Sequence, residues 1–327
     1  MSLLIRQYVF LLIFPLLLLP AVSHAEWYQQ QQPIMGTAIT AEVWDTDPQH
    51  AHECIDRVMA EMHRINASMS PYREDSALSQ INREADRQPV ALSQELFTLI
   101  DRSLEFSRRS HGAFDISFAS VGYLYDYRHK TKPSAQQVQG ATIDYRQIVL
   151  DPAARTITFN KPGMRIDLGG IAKGYAVDNS IKILQDCGIT HARVSAGGDS
   201  RLLGDRRGRP WMIGIRHPRQ EQGSVLALPL SDVAVSTSGD YERYFEQDGE
   251  RYHHILSPRT GKSAKGVWSV TVIGAEATTT DALSTTLFVL GVQAGLEFVN
   301  QLTDIDAVMI DDRGKVHYSQ GLMPARP

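Results

Sequence analysis

The sequence predicts an α+β fold built mainly from antiparallel sheets. Two observations carry this. Short runs of alternating apolar and polar residues come in adjacent pairs joined by tight turns, and between them lie segments whose apolar residues recur at helical spacing.

The first pair is Trp27–Gln32 and Ile39–Trp44, joined through Met35-Gly36-Thr37. In the second run Ile39, Ala41 and Val43 alternate with Thr40, Glu42 and Trp44. Asp47-Pro48 then opens a helix, Asp as N-cap and Pro at the first position. Its apolar face is Ala51, Ile55, Val58, Met62, Ile65 and Met69. A short helix capped by Asp75 or Ser76 runs through Asn82, and another spans Ser93 to Arg109, with Gly112 just past its end. Ala113-Phe114-Asp115-Ile116 reads as a turn into an extended segment, and His129–Gly140, polar and holding Pro133, as an exposed loop. Ile148–Leu150 and Thr156–Phe159 make a hairpin. A strand at Ala192–Ser195 ends in the glycine turn Ala196-Gly197-Gly198-Asp199. Strands follow at Met212–Ile215, Val225–Leu230, Val233–Ser236, His254–Leu256 and Val267–Ile273. Helices are expected at Thr280–Leu290 and Gln293–Leu302, and a closing hairpin pairs Ala307–Ile310 with Lys315–Tyr318.

Composition bounds what the chain does. Its 327 residues are 43% hydrophobic and 21% charged, enough for a large core. A net charge of −4 does not suggest nucleic-acid binding. Arg6, the apolar run Tyr8 to Leu19 and the small residues of Ser23-His24-Ala25 read as a cleaved secretory signal over residues 1–25. That leaves a domain over 26–327, exported and periplasmic, with 32 basic and 37 acidic residues. No cysteine lies near the cleavage point to take a lipid, and no later stretch is apolar enough to span a membrane. Cys54 and Cys187 fall at apolar helical positions and read as buried free thiols, although an oxidising compartment would allow them to pair.

Three stretches can carry chemistry. Arg165 to Asp178 reads as strand end, glycine turn and helix start. Gly169 and Gly170 let backbone approach a ligand, the helix N-terminus offers free N–H groups, and Lys173 stands in the first turn, where a cation opposes the helix dipole. A bound phosphate would explain that lysine; an ordinary strand-to-helix turn with a surface lysine is the alternative. Asp281 and Thr285, four apart on one helix, offer hard oxygen ligands suited to Mg²⁺. Asp281 near a helix start serves equally as a cap. His253-His254, ahead of Pro258-Arg259-Thr260-Gly261, can supply an acid or base or simply end a strand. Tyr72 and Met35 can pack on a planar ring or in the core.

In this order, Met35-Gly36-Thr37, Ser76-Ala77-Leu78-Ser79 through Asn82, Gly112-Ala113-Phe114-Asp115, Asp167 through Asp178, Ala196-Gly-Gly-Asp199, Ser236 through Tyr241, His253-His254-Ile255 with Pro258 through Gly261, and Asp281 through Thr285 resemble the ApbE family of FAD:protein FMN transferases. The resemblance spans nearly the whole chain after residue 25. It implies a T-fold-like structure binding FAD in a cleft through Met35, Tyr72, Ala113, Phe114, Asp115, Asp167, Lys173, Ile255 and Leu256. It implies Mg²⁺ on Asp281, Ser284, Thr285 and the carbonyl of Gly170, and a catalytic role for His254. The implied reaction transfers FMN from FAD to a threonine or serine of an acceptor redox flavoprotein as a phosphoester, releasing AMP. FAD hydrolysis to FMN and AMP, and flavin binding without chemistry, are the alternative readings.

Two departures stand out. Ser257 replaces the family's usual aspartate, and Ile116 to Tyr127 lacks the usual glycine-proline and tryptophan. The first bears on rate and acceptor choice, the second on the contacts of that wall.

Overall fold

A computed structural model of the chain describes residues 25–220 and 223–323, so the expected signal segment lies outside the described residues except for Ala25. The centre is an eight-stranded sheet in the order Glu26–Ile34, Thr37–Asp45, Ala192–Ala196, Asp199–Leu203, Ala234–Gly239, Val267–Gly274, Asp306–Asp311, Val316–Tyr318. Every neighbouring pair in it is antiparallel.

Alternation along the strands gives the sheet two apolar faces. Ile39, Ala41, Val43, Val194, Val270, Val272, Ala307 and Met309 join the main core under the helices. Leu202, Val235 and Ile273 face the other way, onto Trp211 and Ile213. Val308 and Ile310 do the same against Ile215. Those three partners belong to the ribbon Trp211–Arg216/Ser224–Leu230, which covers the second face.

Helices lie across the first face, among them three that carry or support the site. Pro48–Met69 packs on the first two strands, Ala172–Asp186 on the next two, and Ala277–Leu290 on Ala234–Gly239 and Val267–Gly274. The apolar residues expected on the first of these are all buried, and Asp47 caps it by accepting from the N–H groups of Gln49 and His50. Ser76 and Ser93 cap the next two helices, Ala77–Glu84 and Gln94–Arg109.

Several expectations shift. Asp115 does not lead into an extended segment. Its carboxylate accepts from Ser117 N at 2.8 Å and Ser117 Oγ at 2.6 Å, and so nucleates a 3-10 turn at Ile116–Phe118 that continues into Ala119–Gly122. The loop expected over His129–Gly140 contains a short exposed helix, Ala135–Gly140, started by a Ser134–Gln137 capping box. The lead-in to Gly169 is not a strand. Asn82 substitutes for a neighbouring strand by bonding both the N–H of Ile166 (2.7 Å) and its carbonyl (2.9 Å). Around the histidines, strands form at Glu250–His253 and Leu256–Ser257, leaving His254 and Ile255 between them.

Candidate active site

The helices Ala172–Asp186 and Ala277–Leu290 meet more closely than side chains normally permit. A Cβ on Gly174 would sit 2.1 Å from the carbonyl oxygen of Ala277, so only glycine fits there. The contact is fixed at two points. Asp178, on the first helix, accepts from the N–H groups of Ala277 (2.9 Å) and Thr278 (2.8 Å) and from Thr278 Oγ1 (2.6 Å), capping the second helix. Arg201 pairs with the same carboxylate at 2.7 Å. In return Asp281 Oδ2 accepts from Gly174 N at 3.0 Å, satisfying a first-turn N–H that has no intrahelical partner.

This reciprocal capping sets the site. Lys173, one residue before Gly174, forms a close ion pair with Asp199 and has Nζ 3.6 Å from Asp281 Oδ1. Two buried carboxylates thus face one ammonium. Burial, with Asp199 beside it, pushes the Asp281 carboxyl up to about 7. Burial disfavours the Lys173 ammonium, but Asp199 and Asp281 outweigh it and hold its pKa above the ordinary lysine value. One turn further along, Ser284 Oγ lies 2.8 Å from Ser238 Oγ and Thr285 Oγ1 lies 3.4 Å from it. A Cβ on Gly170 would lie 3.3 Å from Thr285 Oγ1 and 3.2 Å from the Phe114 ring, so the glycine turn is packed into this cluster.

The residues expected to hold a metal are therefore together: Gly170, Asp281, Ser284 and Thr285. No group of three or more His, Cys, Asp or Glu that could hold a metal is present among the described residues. The donor set is one carboxylate, hydroxyls and a carbonyl, all hard oxygens, with negative charge in excess of the one ammonium. Such a sparse set fits Mg²⁺, which keeps waters and takes further oxygens from a phosphate.

The remaining candidates form a second group beside the first. Tyr72 is 79% exposed, and its hydroxyl accepts from Arg243 Nη1 at 3.1 Å. Arg243 Nη2 would lie 3.6 Å from a Cβ on Gly36, next to Met35, whose φ of 55° makes the turn. The carbonyl of Arg243 accepts from His254 N at 3.1 Å and faces His254 Nδ1 at 3.3 Å. That contact makes Nδ1 the protonated nitrogen and leaves Nε2 as an acceptor. Burial, then Arg243 and His253, push the His254 imidazole down to about 3, so it is neutral. Burial raises the Asp167 carboxyl, whose Oδ1 accepts from Gly169 N at 2.6 Å.

Ala113 and Phe114 are buried beside the glycine turn. Asp115 has both oxygens engaged by the protein, Oδ1 by Ser117 and Oδ2 by Tyr145 N at 2.9 Å. Ile255 and Leu256 are buried, Leu256 in an aromatic cluster with Val121, Tyr125 and Phe245. Ser257 closes its turn through its carbonyl, which accepts from Thr260 and Gly261 N–H groups. Sequence reasoning missed Asp199, Ser238 and Arg243. Asp199 and Ser238 stood inside the motifs quoted above, and Arg243 two residues beyond one of them.

A glycine-permitted helix contact, a half-buried lysine held by two buried carboxylates and a neutral histidine are the equipment of an enzyme acting on an anionic substrate. The chain belongs to the ApbE family, whose model matches residues 35–309. It is 33% identical over 332 residues to the FAD:protein FMN transferase of Vibrio cholerae, covering 98% of each chain. To that of Treponema pallidum it is 32% identical over 317 residues, covering 90% of this chain and 88% of the relative. Its structure is similar to the ApbE protein of Thermotoga maritima, with TM-score 0.83, 33% identity, and coverage of 90% of this chain and 98% of that one. It is also similar to the flavin transferase ApbE of Vibrio cholerae, with TM-score 0.81, 30% identity, and coverage of 91% and 98%.

Proposed function

We propose that this enzyme is an exported, Mg²⁺-dependent FAD:protein FMN transferase that moves FMN from FAD to a threonine or serine hydroxyl of an acceptor flavoprotein and releases AMP. The names of the relatives support flavin transfer. The observation that carries the finer reading is the juxtaposition of Lys173, Asp199 and Asp281 with the hydroxyls of Ser284 and Thr285.

FAD is a diphosphate. The acceptor oxygen forms a bond to the FMN phosphorus as the bridging P–O bond breaks, and AMP departs with the electron pair. Such a transfer needs charge neutralisation and alignment more than covalent help. Lys173 supplies one fixed cation, oriented by Asp199. Asp281, Ser284, Thr285 and the Gly170 carbonyl would hold Mg²⁺, which when bound supplies further charge neutralisation at the diphosphate. Arg243 adds a cation by Tyr72. His254, neutral with Nε2 free, accepts the proton of the acceptor hydroxyl; an anionic substrate beside it would raise its basicity by offsetting Arg243. Met35, Tyr72, Ala113, Phe114, Asp115, Asp167, Ile255 and Leu256 would line the FAD cleft, Asp115 by shaping its wall. Residues 1–25 would direct export to the periplasm, where redox flavoproteins bearing a Ser/Thr flavinylation motif would be the acceptors.

The test incubates the purified protein with FAD, Mg²⁺ and an acceptor domain carrying such a motif. Flavin fluorescence on the acceptor in a denaturing gel, with stoichiometric AMP, is the expected result. AMP with free FMN alone would make the enzyme a hydrolase, and tight FAD binding without AMP would make it a flavin carrier.

A further inference from the structure

The two cysteines, far apart in sequence, meet at the end of the molecule away from Lys173. Cys54 lies on the Pro48–Met69 helix and Cys187 caps the C-terminus of Ala172–Asp186. Both are free thiols, Cys54 buried and Cys187 half-buried. Cys187 stands beside Cys54 and, after burial, helps to raise its thiol. Around the pair stand three further groups. His50 Nε2 is 3.5 Å from Cys54 Sγ, and His50 Nδ1 is 2.5 Å from Asp45 Oδ2. Arg57 Nη1 donates to Cys187 Sγ at 3.1 Å. Two sulfurs are thus served by an Asp–His dyad on one side and a guanidinium on the other. No use for this arrangement arises in flavin transfer.

We infer that Cys54 and Cys187 form a dithiol/disulfide site with divided roles, oxidised by exchange with an external disulfide. Cys187, the accessible sulfur, attacks the disulfide RS–SR. A Cys187–S–SR bond forms and the first RS⁻ leaves, taking up the proton that Cys187 gave to solvent. Arg57 places a cation on the sulfur that carries charge during this step. Cys54 is the resolving thiol. Burial, with Cys187 beside it, pushes it up to about 12, so it remains protonated until it reacts. His50, oriented by Asp45, takes that proton as Cys54 attacks Cys187 Sγ. The Cys54–Cys187 bond forms, and the second RS⁻ leaves and receives the proton from His50. Two protein thiols and one disulfide become one protein disulfide and two small thiols. The bond would brace the far end of the helix whose first turn carries Lys173, roughly 20 Å along its axis.

The test equilibrates the whole protein with oxidised glutathione, denatures it under alkylating conditions and reads intact mass and a peptide map. A Cys54–Cys187 cross-linked peptide is expected, with a Tm about 5 °C above the reduced protein. Cys54→Ser should trap a stable glutathione adduct on Cys187, Cys187→Ser should leave Cys54 unmodified, and His50→Gln should slow closure of the Cys187 adduct about a hundredfold. Two free thiols after oxidation, or a lasting glutathione adduct on Cys187 in the native sequence, would overturn the assignment. So would Cys54 being the residue that takes glutathione first. Circular dichroism of each variant separates a failed fold from a failed exchange.

Discussion

Asp281 accepts from the backbone N–H of Gly174 at 3.0 Å, while the Gly174 Cα faces the carbonyl of Ala277 so closely that a Cβ would lie 2.1 Å from it. Position 174 therefore controls both the spacing of two helices and the orientation of a site carboxylate. Gly174→Ala must push the helices apart. Overpacking of this kind destabilises by about 1–3 kcal/mol. Thermal melting should show the loss, and turnover should fall with it because Asp281 loses its anchor.

Asp178 is the reciprocal anchor. Asp178→Ala removes the cap of Ala277–Leu290 and leaves Arg201 without its carboxylate. Breaking a buried pair by removing one partner destabilises by about 3–5 kcal/mol. Urea denaturation should report a lower midpoint with little change in slope.

Asp281→Ala should abolish Mg²⁺-dependent turnover, a loss of at least about a hundredfold, while FAD binding persists through the rest of the cleft. Full metal-dependent activity in this variant would remove Asp281 from the metal site.

His254 gives a prediction with a definite sign. Its imidazole is held neutral, down to about 3, against roughly 6.5 in an unfolded chain. Below pH 6.5 the unfolded chain takes up a proton that the folded state refuses, so this residue makes the fold progressively less stable as pH falls from 6.5 towards 3. His254→Asn removes the effect. The Tm of the variant relative to the native sequence should rise as pH is lowered from 7 to 5, and a constant difference would refute it.

Arg243 is one reason for that depression, after burial. Arg243→Gln should move the His254 imidazole upward in an NMR titration, and should release the Tyr72 hydroxyl from its 3.1 Å bond to Nη1. An unchanged titration would show that burial alone holds the imidazole neutral.

The paired strands and the long helices were legible because period-two and helical spacing report directly on which face is buried. Ile39, Ala41 and Val43 are buried in the main core, as are Ile55, Val58 and Met62 on the first long helix. Misreadings fell where side chains, rather than backbone ladders, decide the local structure. Asn82 holds Ile166 in place of a strand, and Asp115 turns the chain by accepting from Ser117; neither leaves a periodic signal. Within the site, Asp281 and Thr285 on Ala277–Leu290 were legible as oxygen donors on one helix face from their four-residue spacing. Asp199 and Arg243 were not, because spacing along the chain does not report their contacts: Asp199 meets Lys173 only where the Ala172–Asp186 helix packs on the strand Asp199–Leu203, and Arg243 meets His254 only across the hairpin Tyr244–Gln247/Glu250–His253.

The sheet order has a kinetic consequence. Thr37–Asp45 pairs with Ala192–Ala196, so its second edge stays open until everything between, residues 46–191, has been made and folded around it. Pairing over such a sequence separation is slow, and an unpaired edge is a template for association with other chains. Refolding from denaturant should therefore be limited by closure of this seam, with yield falling as protein concentration rises, while the local hairpin Glu26–Ile34/Thr37–Asp45 forms early and waits.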